Sequence, residues 1–261
     1  MLPKLIQHLK RGQEKVKHEH ANWPNKALHI DRKGRGLIAC CPFCVFRWLL
    51  QPMSLPAASE LDRSANKKLK MAYMSIKEGI QAYHSSILGE HHRYRSWEHC
   101  YSYFQAASIS ENANHDYAAL QLGFYLASWG MYRGSSFLLQ HSYTVHLGVI
   151  DLLFESRFSQ LWKREFGAND DSDLISVILD AVEAIKKAYR DSASLNNSGQ
   201  PTDTLITKVL LGTFGCLPAC DRYFIDGFKS TGFSYSYLNR KFIERILTFS
   251  QDNLRELREQ Q

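Results

Sequence analysis

Between Pro56 and the C-terminus of this 261-residue chain only two prolines occur, Pro201 and Pro218. Proline removes a backbone donor and clashes inside a helix, so its scarcity over so long a stretch leaves helices free to run. The apolar residues take up that freedom. Leu61, Ala65, Leu69, Ala72, Ile76, Ile80, Tyr83 and Ile87 recur at intervals of three and four, with Gly89 as a stop. Trp97, Tyr101, Phe104 and Ala107 repeat the pattern, and so do Leu174, Val177, Ile178, Ala181, Ile185 and Ala188 behind Asp170 or Asp171. Thr202 or Asp203 opens a further helix through Leu211, Ala219 to Phe228 reads as a short one, and Tyr237 to Leu257 as the last. No run of alternating β-branched residues bounded by hairpin turns is present. The expectation is an all-α fold, a single bundle of about seven or eight helices around a central apolar helix pair between Tyr117 and Phe154.

Residues 1–56 are different. They hold five of the seven prolines and no sustained period, and ten Lys/Arg stand against three acids. The remaining residues carry 22 basic and 23 acidic side chains, so the net charge of +6 belongs to the arm. The chain therefore divides into a basic, irregular N-terminal arm (1–56), disordered or adventitious, and a neutral helical domain (57–261). A neutral body argues against a broad phosphate-binding face.

The six cysteines, at 40, 41, 44, 100, 216 and 220, do not form a secreted disulfide framework, and a reducing cytoplasmic setting is expected. Cys41 and Cys44 have the C-x-x-C spacing of a zinc half-site, with His18 and His20 as the remaining candidates, but no second pair completes the signature. No cofactor is expected. Leu37–Leu50 is apolar but is too short and too broken by Pro42 and Arg47 to cross a bilayer, so no membrane partner is expected.

Arg133 lies between Gly130 and Gly134 in a stretch, from Tyr117 onward, that reads as buried helix. A buried charge must be paired, so either a structural ion pair or an anion site is expected there, with Asp221, Asp226, Glu98 and Asp151 as carboxylate partners. A break near Gly134–Ser136 would instead open a helix start beside the arginine.

Arg93-Tyr-Arg95-Ser-Trp-Glu98-His99 gathers two arginines and a histidine, with Arg95 and His99 one turn apart on a helix. The spacing from Arg93 to His99 resembles the active-site pattern of the HEPN superfamily of small α-helical ribonucleases. The resemblance implies an acid/base role for His99 and phosphate contact by an arginine. The 205–224 segment, with Lys208, Gly212, Gly215, Ala219, Asp221 and Arg222, is similar to the helix–hairpin–helix element of DNA repair glycosylases, in which a glycine turn offers amides to a phosphate. Lys208 and Asp221 are the polar residues it singles out.

No phosphate-binding glycine loop, dinucleotide fingerprint, nucleophile elbow or zinc-protease motif occurs. The expectation is a binding or interaction module with an internal Arg/His/Asp cluster drawn from Arg93, Arg95, His99, Arg133, Lys208 and Asp221. The alternative is a nucleic-acid-acting effector, either a HEPN-like ribonuclease using Arg93 and His99 or a glycosylase-like DNA binder using the 205–224 segment. Nucleic acid or another protein is the expected partner, and self-association stays open.

Overall fold

The residues that the computed structural model describes, 76–87, 89, 91–110, 112–162, 171–193, 200–230, 235, 237–253 and 255, are mostly helical. Among them there is no strand. The α-helices are α1 (Ile76–Ile87), α2 (Arg95–Ala107), α3 (His115–Ser128), α4 (Leu147–Leu153), α5 (Asp171–Ser192), α6 (Asp203–Gly212), α7 (Arg222–Ser230) and α8 (Arg240–Asp252). Short 3-10 turns occupy Phe137–Gln140, Tyr143–His146 and Ser156–Trp162. The basic arm, the Cys41/Cys44 spacing with its zinc reading, and the helix expected from Leu61 to residue 75 lie outside the described residues, as does Asp170.

Side-chain caps fix several starts. Asn114 accepts the Tyr117 amide at 3.0 Å ahead of α3, Thr202 the Leu205 amide ahead of α6, and Asn239 the Phe242 amide ahead of α8.

Helix α3 is the hub. It is apolar nearly all round and packs against α2, α4, α6 and the Tyr143–His146 turn. Ala118, Ala119, Leu122, Gly123, Tyr125 and Leu126 are its buried positions.

The expected continuous helix through Arg133 is not formed. The chain turns left-handed at Gly130, with φ of 72°. The Gly130 amide then reaches the Ala127 carbonyl, and the Met131 amide the Leu126 carbonyl, both at 2.9 Å. That pair of bonds is a Schellman stop, which a residue without a Cβ permits. Beyond it the expected second core helix is broken into 3-10 turns and the short α4. Arg133 therefore lies past the end of α3 and is exposed, and the expectation of a buried charge is overturned.

The connection from α6 to α7 is the least ordinary part of the fold. Residues 213–221 form no helix, yet every residue from 205 to 221 is buried. Buried backbone must be hydrogen-bonded, and neighbouring side chains supply the partners. Trp97 Nε1 on α2 donates to the Leu211 carbonyl at 3.1 Å, and Gln105 Nε2 to the Thr213 carbonyl at 3.2 Å. Thr204 donates to the Cys220 carbonyl at 2.8 Å, and Thr207 Oγ1 accepts the Cys220 amide at 2.9 Å. The segment returns along α6 and ends beside that helix's first turns.

Candidate functional site

Lys208 lies in the run Leu205-Ile-Thr-Lys-Val-Leu-Leu, which is buried on every face because α6 runs through the interior. Its side chain is interior too, at 5% exposure. Nζ donates to the Trp129 carbonyl at 2.8 Å. Trp129 is the C-cap of α3, so the ammonium sits at the negative end of that helix, where its last carbonyls need donors.

The same tryptophan is part of a covered aromatic ledge, in which Tyr94 and Trp129 are each only 9% exposed beneath the exposed Arg93. The Tyr94 ring stacks on Trp129, with centroids 5.1 Å apart and planes at 20°. Arg93 Cζ lies 5.3 Å from the Tyr94 centroid and 5.8 Å from that of Trp129. The His92 ring meets Tyr94 edge-on at 4.4 Å. Arg93 is exposed, and no carboxylate among the described residues lies within ion-pairing distance of it. Its attraction to the ring faces orders a cation that would otherwise sample many rotamers.

The end of α3 thus brings together Arg93, Lys208 and Arg133. The Arg133 side chain folds over Gly130, so that a Cβ added there would stand 2.9 Å from Nε. None of the carboxylates expected to pair with Arg133 does so. Asp221 Oδ1 accepts the Phe224 amide at 3.1 Å and caps α7, while Asp226 lies 3.6 Å from Arg222. Glu98 accepts the Tyr83 hydroxyl at 3.2 Å, and Asp151 meets His115 at 2.6 Å. Burial is the largest influence on Glu98 and raises its pKa, against the lowering effect of the Tyr83 hydrogen bond and of the nearby Arg95, His99 and His84 side chains.

The remaining expected site residues are dispersed. His99 is exposed and Arg95 half-buried on α2, while Arg93 precedes that helix and engages rings rather than His99. Arg222 is exposed at the start of α7. Gly212 and Gly215 are interior, and the Gly215 amide donates to the Leu210 carbonyl at 2.8 Å. A helix–hairpin–helix element offers its turn amides to a phosphate from the surface, whereas the turn here is buried.

A second polar cluster carries no sequence signal. His146 is wholly buried between two tyrosines, with Nδ1 2.8 Å from the Tyr189 hydroxyl and Nε2 2.7 Å from that of Tyr132. Tyr189 is equally buried, and its hydroxyl proton is satisfied only by donating to Nδ1. The ring then carries its proton on Nε2 and donates to the half-buried Tyr132. Burial pushes the His146 pKa down to about 3 and that of Tyr132 up to about 12, so the chain is neutral near neutral pH.

Among the described residues no group of three His, Cys, Asp or Glu side chains is placed to hold a metal ion. Cys100, Cys216 and Cys220 are buried, and burial raises the Cys100 and Cys220 thiol pKa values. No described helix is long and apolar enough to cross a membrane. The chain matches no protein-family model, no curated protein and no solved structure.

Proposed function

We propose that this protein is a binding module for single-stranded nucleic acid, and that the Arg93–Tyr94–Trp129 ledge receives the strand. One observation carries the reading: an exposed guanidinium, opposed by no described carboxylate, held over two stacked rings. Such a group can pair with a phosphate along its edge and stack a base on its plane. His91 and His92, in the turn before α2, extend the face. Lys208 supports it from beneath by fixing the Trp129 backbone. The neutral body favours a short footprint with a shallow salt dependence rather than a long electrostatic track.

Fluorescence anisotropy of short single-stranded RNA and DNA at two salt concentrations tests this. Binding should weaken about fivefold to tenfold in Arg93→Ala, and the ledge tryptophan should report occupancy by quenching. Equal affinity of wild type and Arg93→Ala, or no binding at low salt, would reject the reading. Incubation with His99→Ala alongside tests the ribonuclease alternative, because strand loss that depends on His99 would mean catalysis rather than binding alone.

A further inference from the structure

We infer that two copies of this chain pair through the exposed face of α3, antiparallel about a two-fold axis at Phe124. This goes beyond the nucleic-acid reading and, Arg133 at the end of α3 apart, uses other side chains. Asp116, Leu120, Phe124 and Ala127 follow one another at helical spacing, and all are exposed. Leu120 is 45% and Phe124 64% exposed, on the helix whose other faces hold the protein together. A hub helix that leaves a leucine and a phenylalanine one turn apart in water presents a contiguous apolar strip rather than a scattered residue.

Charge selects the occupant. The strip starts at an acid, Asp116, and ends past the Gly130 stop at a base, Arg133. Asp116 is held at the surface by the Tyr143 hydroxyl, which donates to Oδ1 at 3.1 Å. No described carboxylate pairs with Arg133. A strip that is acidic at one end, apolar in the middle and basic at the other is complementary to its own reverse.

A two-fold contact applies the same patch to itself, so residue i meets j and j meets i. With Phe124 on the axis, the rings face each other and Leu120 meets the small residues Ala127 and Ser128 of the second copy. Asp116 lies eight residues from the axis, or about 12 Å along the helix. The opposing chain there is the segment that carries Arg133. Two Asp116–Arg133 pairs then close the ends, and Ala127 lets the helices approach closely.

Sedimentation of the full chain over a dilution series tests this. The wild type should reach twice its 30.1 kDa mass. Phe124→Glu should weaken association about a hundredfold, because the charge enters the contact twice. Asp116→Arg and Arg133→Asp should each weaken it about fivefold, and the double variant should recover the loss. Phe124→Cys should cross-link copies under mild oxidation through position 124, identified as a linked peptide by mass spectrometry. All four changes are on the surface, so unchanged circular dichroism and melting temperature separate a lost contact from a lost fold. A wild type monomeric at every concentration, a dimer indifferent to Phe124→Glu, or a double charge swap without recovery would overturn the inference.

Discussion

The Lys208 ammonium and the Trp129 carbonyl, 2.8 Å apart, join the middle of α6 to the last turn of α3. This contact ties the middle of α6 to the ring that backs the exposed Arg93. Lys208→Met keeps the stem and removes the donor, which leaves a carbonyl at the helix end short of a partner. Denaturant titration should show a loss of about 1–3 kcal/mol. Nucleic-acid affinity should fall as well, although Lys208 is buried away from the strand. Unchanged stability would mean that the bond has no net worth.

Acid should act through His146. In the folded protein its pKa is about 3, against an ordinary 6.5 when unfolded. Between those values the unfolded chain binds a proton that the folded chain excludes, so stability is full above pH 6.5 and falls as the pH drops toward 3. The whole window corresponds to roughly 4–5 kcal/mol. Urea midpoints from pH 7 downward should show the decline, and His146→Asn should flatten it. A variant as acid-sensitive as the wild type would place the effect elsewhere.

Gly212 should resist even alanine. A Cβ there would stand 2.5 Å from Tyr125 Cε1, in a ring buried in the core. The gain in helix propensity, about 1 kcal/mol, is outweighed by overpacking of about 1–3 kcal/mol. Gly212→Ala should therefore destabilise in a wild-type background and stabilise beside Tyr125→Leu. A double-mutant cycle by thermal denaturation reads that change of sign.

Thr207 should be replaceable only by another hydroxyl. It accepts the Cys220 amide and donates to the Asp203 carbonyl at 2.7 Å. Thr207→Val leaves the amide buried and unsatisfied, at a cost of about 1–3 kcal/mol. Thr207→Ser should recover most of it. Equal losses in both variants would point to packing by the methyl group instead.

Helix period made most of the fold legible, and Thr202 was legible as a cap, whereas Asn114 ahead of α3 was not read from the sequence. The end of α3 was misread because apolar residues continue on both sides of Gly130, and the Schellman bonds that stop the helix leave no apolar mark. The site was legible only in pieces. Arg93 and the adjacent Tyr94 stand out in the sequence, but the second ring does not, since Trp129 lies at the end of α3. Lys208 and its acceptor are 79 residues apart, and His146 and Tyr189 are 43 apart. Such contacts exist only once helices are packed, and no local pattern encodes them.

The buried connection between α6 and α7 changes which part of the molecule should open last. Irregular segments ordinarily exchange their amide hydrogens early, by fluctuations of their own. The Gly215 and Cys220 amides are bonded in the interior, beneath side chains from α2 and α6. They can meet solvent only when those helices separate. Exchange of this stretch should therefore track global unfolding, and proteases should cut it after the helices that surround it.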